Sequence, residues 1–193
     1  MSPAPARTSR DAILSAARAI LEEDGLDAVV MSRVAERVGV RGPSLYKHVT
    51  DRAALIRAVG DAVTDDLARQ LSIAVSTGDA RADLTATAHA YRAFVHANPN
   101  GYGLLFAHGS PELQPDPAAI ADLARPVVEA MARMVGPDVA LSAARTFVAW
   151  AHGFVSMELA GAFRLGGGLD EAYASGVATI LDGISGRATR PAG

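Results

Sequence analysis

The sequence predicts an all-α protein with about nine helices. Apolar residues recur along most of the chain with the spacing of an amphipathic helix, and no segment shows the strict alternation of a strand. Stretches that contain Gly and Pro separate the helical segments. Half of the 193 residues are apolar, which is enough to build a core. We therefore expect helices that pack on helices, in one or two domains.

Capping and turn residues set the expected limits of the helices. Thr8 and Asp11 have the spacing of a capping box, and Gly25 ends the apolar stripe that follows them. Later breaks fall at Gly39 and at the triple glycine of residues 166–168. The expected helices span about residues 8–25, 31–38, 43–49, 52–75, 82–97, 101–107, 117–135, 138–163 and 170–184.

The net charge of −3 is unevenly distributed along the chain. Residues 1–57 carry nine basic and seven acidic side chains, whereas residues 58–193 carry nine and fourteen. A mildly basic head on an acidic body fits a small module that binds a polyanion, joined to one that avoids polyanions. The chain has no cysteine, which excludes disulfides, thiolate metal sites and cysteine nucleophiles.

No targeting signal is evident in the sequence. The first ten residues lack the apolar stretch of a signal peptide, and no apolar run reaches the ~18 residues that cross a bilayer. These observations predict a cytoplasmic protein without a membrane partner.

The stretch "RVAERVGVRGPSLYKHV", residues 33–49, has the pattern of a helix-turn-helix. Gly39 can adopt the positive φ that ends one helix, and Gly42 with Pro43 can open the next. Leu45 and Val49 are expected to pack inward, which leaves the polar side free to enter a major groove. A plain helical hairpin with a solvated polar face is the alternative interpretation.

Residues 13–59 resemble the DNA-binding domain of TetR-type (TetR/AcrR) transcriptional regulators. The matching pieces are the turn at Gly25, "VAERVGV", "LYKHV" and "DRAAL". The resemblance implies a sequence-specific DNA-binding regulator of transcription, in its simplest form a ligand-responsive homodimeric repressor on a palindromic operator. Arg41 and the positions that match the family pattern form the predicted DNA-contacting set: Ser32, Arg41, Gly42, Pro43, Ser44, Tyr46, Lys47, His48 and Arg52. Tyr46 and Arg52 are the strongest candidates for phosphate contacts.

The resemblance also implies a division into domains. We predict a helix-turn-helix head at residues 7–55, with the motif itself at about 30–49. A ligand-binding and dimerisation bundle is expected at residues 56–185, followed by a disordered tail at 186–193.

One position departs from the family pattern. The family usually places Ser or Thr just before the second helix, and this chain has Val30. A side-chain cap of that type stabilises a helix by about 1 kcal/mol. Either Asp27 or Ser32 substitutes for it, or the helix begins with uncapped N–H groups.

The second half of the chain resembles a C-terminal domain class with a Trp-x-His-Gly signature, carried here by Trp150, His152 and Gly153. In such regulators the last two helices form a four-helix bundle with those of a second copy, so a homodimer is expected. A small apolar effector is expected as well, and no cofactor. The candidate pocket residues are His89, Tyr91, Phe94, Tyr102, Phe106, Phe147, Trp150 and His152. The alternative for each is ordinary core packing.

The sequence gives little support to a catalytic function. The stretch "HGSPE" is not a nucleophile elbow, "GGGLD" lacks the lysine of a phosphate-binding loop, and HExxH is absent. His89 and His96 stand seven residues apart, too far to share one metal ion without a third ligand. We therefore predict no catalytic and no metal-ligating residue. An all-α enzyme or metal-binding bundle and a structural dimeric adaptor remain the alternatives.

Overall fold

A computed structural model describes residues 9–106 and 116–188. Over these residues the chain forms nine α-helices, one short 3-10 turn (Leu26–Ala28) and no strand, which confirms the all-α prediction. The helices are α1 (Arg10–Asp24), α2 (Met31–Val38), α3 (Gly42–Leu45), α4 (Arg52–Ala74), α5 (Ala80–Ala97), α6 (Pro99–Leu105), α7 (Pro117–Val135), α8 (Pro137–Leu159) and α9 (Leu169–Ala188). In the described ranges, no helix is both long and apolar enough to cross a membrane.

The helices group into two compact units, and α4 contributes to both. The first unit comprises Met1–Asp65 and Asn98–Ala119, and the second comprises Asp66–Ala97 and Ile120–Gly193. The sequence predicted two domains that each consist of one contiguous segment, 7–55 and 56–185. The two compact units are instead interleaved along the chain, because α6 packs on α1 and joins the first unit.

The core of the first unit is built from one stripe of α1 and single residues of the helices around it. Ile13 and Ile20 lie two turns apart on α1 and are fully buried. Val34 of α2, Leu45 of α3 and Leu55 of α4 are fully buried as well. The short α3 therefore has its place set by one buried leucine and by its connections to α2 and α4.

The second unit has an aromatic centre on α9. The Tyr173 side chain is fully buried, and its hydroxyl donates to the Ala88 carbonyl at 2.8 Å. The Trp150 ring of α8 stacks on the Tyr173 ring with 5.4 Å between the ring centroids, and the His89 ring of α5 packs against Tyr173 in a T-shaped arrangement with 5.7 Å between centroids. One residue of α9 thus contacts both α5 and α8.

Several helix limits differ from the predicted ones: α5 and α6 each begin two residues earlier, and three further differences concern α1, α3 and α8. The cap of α1 is Ser9, whose side-chain oxygen accepts from the Ala12 N–H at 3.1 Å, and the predicted cap Thr8 lies outside the described residues. Helix α3 ends at Leu45, before the predicted residue 49, and continues as turns through residue 48. Helix α8 ends at Leu159, before the predicted residue 163, because Gly161 adopts a φ of 61°.

The C-terminal end also differs from the prediction. Helix α9 continues to Ala188, past residue 184 and into the segment 186–193 that was predicted as a disordered tail. Residues 189–193 lie outside the described residues, as does most of the loop predicted between the sixth and seventh helices.

Candidate functional site

A tight glycine turn joins α2 to α3. Gly39 adopts a left-handed conformation with φ 76° and ψ 31°, and its N–H donates to the Glu36 carbonyl at 3.0 Å. The Val40 N–H reaches the Ala35 carbonyl at 2.9 Å, which closes the end of α2. A side chain at residue 39 would be strained at this φ, so glycine is what permits the turn.

Helix α3 and the turn that continues it bury one side and expose the other, as the sequence predicted for a helix-turn-helix. Leu45 is fully buried and Val49 is 6% exposed. Tyr46 is 57% exposed, an unusual position for an aromatic side chain that has no partner to cover it. Of the predicted DNA-contacting set, the exposed members are Ser32, Arg41, Pro43, Tyr46, Lys47 and His48. The partly buried members are Gly42, Ser44 and Arg52.

The cations of this region divide into bound and free groups. Arg33 pairs with Asp24, and Arg37 donates two hydrogen bonds to Glu23 at 2.5 and 2.7 Å. The hydrogen bonds from Arg37 lower the pKa of the Glu23 carboxyl.

Arg41 and Lys47 are the free members. The side chains of both are exposed and make no hydrogen bond or ion pair with the part of the chain that the structure describes. Their charges are therefore available to an external anion, whereas those of the two α2 arginines are offset by carboxylates of α1.

The start of α2 is uncapped. Val30 occupies the N-cap position with extended backbone, and no side chain caps the helix in the described structure. Of the three possibilities that the sequence left open, the third is the one observed: neither Asp27 nor Ser32 substitutes. Arg52, the first residue of α4, binds the segment between α1 and α2. Its Nε donates to the Val29 carbonyl at 2.6 Å and its Nη2 donates to the Leu26 carbonyl at 2.7 Å.

A second set of side-chain to backbone hydrogen bonds, which was not predicted from the sequence, joins α1 to α6. The Glu22 carboxylate accepts from the N–H groups of Asn100 at 3.0 Å and Gly101 at 2.8 Å, near the start of α6. A Cβ at Gly101 would lie 2.7 Å from Glu22 Oε1, so the contact requires glycine there. The residues involved stand about eighty positions apart, and no local pattern marks them as partners.

The predicted pocket residues fall in both units. Tyr102 and Phe106 belong to the first unit, where their rings lie 5.0 Å apart. The other six belong to the second unit. Among these six, Phe94 and Phe147 are buried in the core and His89 is exposed.

The remaining three predicted pocket residues are half-buried. The Tyr91 hydroxyl lies 3.5 Å from Nδ1 of His152. Burial lowers the pKa of His152, which favours the neutral imidazole near pH 7. Trp150 lies over Gly176, where a Cβ would come within 2.2 Å of its ring. Trp150 therefore has a defined place between α8 and α9.

An ion-pair network, also missed at the sequence level, links α5, α8 and α9. Arg92 donates to both oxygens of Glu158, at 2.8 Å from Nε and 2.5 Å from Nη2, and to Asp170 at 2.7 Å. His96 Nε2 lies 3.0 Å from the same Glu158 carboxylate. The hydrogen bonds from Arg92 are the main cause that lowers the pKa of Glu158 to about 2, and those from Glu158 raise the pKa of Arg92.

The second unit contains several surface depressions. One of about 440 Å³ runs between α7, α8 and α9 and is lined mainly by small and aliphatic side chains. One of about 400 Å³ contains His89, Arg92 and His96, and one of about 350 Å³ lies between the end of α4 and α7. In the described residues, no three His, Asp or Glu side chains are arranged to hold a metal ion.

A helical chain that carries a helix-turn-helix with exposed, unpaired cations has the features of a DNA-binding regulator. Comparison with known proteins identifies its family. The family model of bacterial regulatory proteins of the tetR family matches residues 13–59, and the model of the tetracyclin repressor-like C-terminal domain matches residues 84–180. The chain belongs to the TetR family of transcriptional regulators.

Individual relatives agree with this assignment. An HTH-type transcriptional regulator of Mycobacterium tuberculosis is 35% identical over 163 residues, which cover 81% of this chain and 73% of the relative. The transcriptional activator FasR of Mycolicibacterium smegmatis is 32% identical over 103 residues, 53% of this chain and 47% of that protein. A protein of unknown function from Rhodococcus sp. RHA1 has a similar structure, with a TM-score of 0.80, 27% identity and coverage of 96% and 100%.

The family sets the general activity of the chain. TetR-family proteins are DNA-binding regulators rather than enzymes, typically homodimers that respond to small molecules. The predictions of a helix-turn-helix transcriptional regulator and of a non-enzymatic function are thereby confirmed. The assignment of individual DNA-contacting and pocket residues stays a prediction.

Proposed function

We propose that the protein is a homodimeric, ligand-responsive repressor that reads a palindromic operator with two copies of α3. The observation that carries the proposal is the exposed surface of the turn that continues α3, where Tyr46, Lys47 and His48 face solvent, while Leu45 at the end of α3 is buried. Arg41, in the turn, adds a second unpaired cation. Tyr46 and Lys47 would contact phosphates, and the uncapped N–H groups of α2 would be open to another. A regulator of this kind acts where the chromosome is, in the cytoplasm.

The proposed dimer forms through α8 and α9. The groove of about 440 Å³ on these helices is lined by residues that allow close approach, among them Ser142, Ala143, Thr146, Thr179 and Gly183. Val139 also lines the groove and is 44% exposed. Side chains of this kind favour close helix–helix packing, and a second copy related by a two-fold axis would present the same surface in return.

Thr179→Arg tests this interface. Thr179 is exposed, and its hydroxyl bonds only within α9, so a single chain has room for a longer side chain. Across a two-fold interface the two arginines would be close and mutually repulsive. We expect sedimentation to show the variant at the mass of one 19.9-kDa chain and the wild type at twice that mass. Ala86→Arg, at an exposed site on α5, should stay dimeric. An unchanged mass for Thr179→Arg would rule out this surface.

A small apolar effector is proposed to bind among the half-buried aromatic and polar side chains of the second unit. Tyr91, Trp150 and His152 combine ring surface with a few polar atoms, which suits a mostly apolar ligand with one or two anchors. We also propose that the C-terminal domain belongs to the Trp-x-His-Gly class, because Trp150, His152 and Gly153 carry that signature. An effector that prefers one arrangement of the dimer would shift the spacing of the two heads and change operator affinity by its differential affinity for the two arrangements.

DNA binding is tested with the segment upstream of the protein's own gene and with a duplex selected from random DNA by the wild-type chain. We expect Lys47→Ala to weaken binding to all sequences alike, by about tenfold or more if a charge-assisted phosphate bond is lost. Because the dimer carries two copies, the slope of log K against log salt should fall by about 1.8. Fluorescence anisotropy between 0.05 and 0.3 M salt, on the order of the physiological range, measures both quantities.

Arg37→Ala is the matched control for this measurement. Arg37 carries the same charge on the neighbouring helix, and its charge is offset by Glu23. Its removal should change affinity and salt slope much less than that of Lys47. Equal effects of the two variants would mean that only the overall charge of the head matters, and no shift of either duplex by the wild-type chain would contradict the proposed function itself. Transcription from the same upstream segment in vitro distinguishes repression from activation.

A further inference from the structure

We propose that Arg52 is a positioning residue that locks the start of α2 to α4, and that it supports DNA binding through this lock rather than as a phosphate ligand. The inference rests on the proposed DNA-binding function. It also replaces the role that the sequence resemblance implied for Arg52. The observation behind it is one guanidinium that donates to two backbone carbonyls, of Val29 at 2.6 Å and of Leu26 at 2.7 Å.

Apart from the two bonds from Arg52, the segment is held by three backbone hydrogen bonds of its turn and by the buried side chain of Val29, and no side chain caps the helix that follows. Between α1 and α2 the chain makes a single 3-10 turn, in which the Val29 N–H reaches the Leu26 carbonyl at 3.2 Å. Val30 follows as an N-cap without a side-chain hydrogen bond. Helix α2 thus begins without the cap that usually fixes a helix start, and the two bonds from Arg52 hold the residues just before it.

Only arginine can form this pair of hydrogen bonds to the Val29 and Leu26 carbonyls from one side chain. The Nε–H and an Nη–H of a planar guanidinium point in nearly parallel directions, so one side chain can reach two acceptors at once. A lysine ammonium at the same place keeps the positive charge but is a single point with a different reach. The charge of Arg52 and its two-pronged geometry can therefore be separated experimentally.

Arg52 is the first residue of α4, the helix that continues from the first unit into the second. Helix α2 in turn leads through the glycine turn to α3, whose only fully buried side chain is Leu45. Loss of the two hydrogen bonds from Arg52 should make the start of α2 more mobile, and α3 would then sample a wider range of orientations. DNA affinity would fall because fewer molecules present Tyr46 and Lys47 in the binding arrangement.

The test compares Arg52→Lys, Arg52→Gln and wild type as full-length chains, with Lys47→Ala as the reference for a lost phosphate contact. Hydrogen exchange on the free proteins should show faster exchange of the amides around Val29 to Val34 in both Arg52 variants and no change in Lys47→Ala. On the duplex selected by the wild type, Arg52→Lys should lose about tenfold or more in affinity, as expected for two lost bonds from a charged donor. Its salt slope should equal that of the wild type, because the number of phosphate contacts is unchanged.

Two results would overturn the inference. One is full affinity in Arg52→Lys together with a salt slope in Arg52→Gln that is lower by about 0.9 per copy, the signature of a phosphate contact. The other is unchanged exchange around α2 in both variants. Failure of the proposed function looks different, since the wild-type chain would then select no duplex at all while the exchange result would still decide the structural role. If Arg52→Lys fails to fold, Arg52→Gln, which retains one donor group, supplies both measurements.

Discussion

Gly176→Ala should destabilise the protein, although alanine is normally the better residue in a helix. Gly176 lies within α9, and a Cβ there would come within 2.2 Å of Cζ2 and 2.8 Å of Cη2 of Trp150. No real Cβ makes such a contact, so the indole must move, and it is stacked on the buried Tyr173 ring. Overpacking of this kind costs about 1–3 kcal/mol. Removing the glycine should by itself add about 1 kcal/mol, so a net loss in urea unfolding reports the clash.

The control is Gly60→Ala on α4, where a new Cβ meets nothing within 4 Å among the described residues. That variant should be as stable as the wild type or more so, by up to about 1 kcal/mol. A second substitution provides the rescue. Trp150→Phe removes the ring atoms that the new methyl group would strike, so the double variant should lose less than the sum of the single losses. A Gly176→Ala protein more stable than the wild type, with no coupling to residue 150, would show that Trp150 is not packed on α9.

The fold was predictable because its signals are local. The 3.6-residue spacing of Ile13, Ala17 and Ile20 marks α1, and the positive φ of Gly39 is what the sequence pattern required of the turn. Errors occurred at helix ends, where alternatives differ by one turn of hydrogen bonds. Gly161 illustrates this: its sequence position is compatible with a small packing surface inside α8, and in the structure it ends the helix.

Much less of the site was predictable. The exposed residues of α3 and of the turn that continues it follow from the periodicity around Leu45, so the sequence could assign Tyr46 and Lys47 to the solvent-exposed side. The internal bonds of Arg52 could not, because their acceptors are backbone carbonyls, which every residue has and no sequence pattern marks. The same holds for Glu22, whose partners are N–H groups of α6 about eighty residues away.

The central residue in the core of the second unit could not be predicted from the sequence, for a related reason. Aromatic residues were recognised there as a group, yet Tyr173, the central one, was not among the candidates. Its importance comes from neighbours on α5 and α8, such as the Ala88 carbonyl that accepts a hydrogen bond from its hydroxyl. Pairs such as Arg92 and Glu158, 66 residues apart, are identified by packing and not by spacing.

Glu158→Gln is the second substitution from which we expect a large effect. The Glu158 side chain is only 9% exposed and holds Arg92, itself 15% exposed, through two hydrogen bonds. The amide keeps the size of the carboxylate but carries no charge, and only its oxygen can accept a hydrogen bond from Arg92 because its nitrogen is a donor. An exposed ion pair contributes up to about 1 kcal/mol to the free energy of unfolding, and breaking a buried pair costs about 3–5 kcal/mol. Because this pair is largely buried but still reaches solvent, we expect a loss of about 2 kcal/mol at pH 7.

The pH dependence gives this prediction a sign as well as a size. Hydrogen bonds from Arg92 lower the pKa of Glu158 to about 2 in the folded protein, against an ordinary value of 4.5. The folded state thus holds its carboxylate ionised where the unfolded chain would bind a proton. The contribution of Glu158 to stability is full above pH 4.5 and is lost as the pH falls toward 2. Wild type and Glu158→Gln should therefore differ most near neutral pH and converge in acid.

Asp170→Asn separates this effect from that of ion pairs in general. Asp170 accepts from the same Arg92 at 2.7 Å, yet its side chain is 93% exposed. Water and salt screen such a pair, so this variant should lose no more than about 1 kcal/mol at pH 7. Urea unfolding at neutral pH and at several acidic values, for both variants and the wild type, gives the comparison. A constant difference between wild type and Glu158→Gln across that range would mean that the lost stability comes from packing, and equal losses for the two variants would mean that enclosure of Glu158 by α5, α8 and α9 adds nothing to its pairing with Arg92.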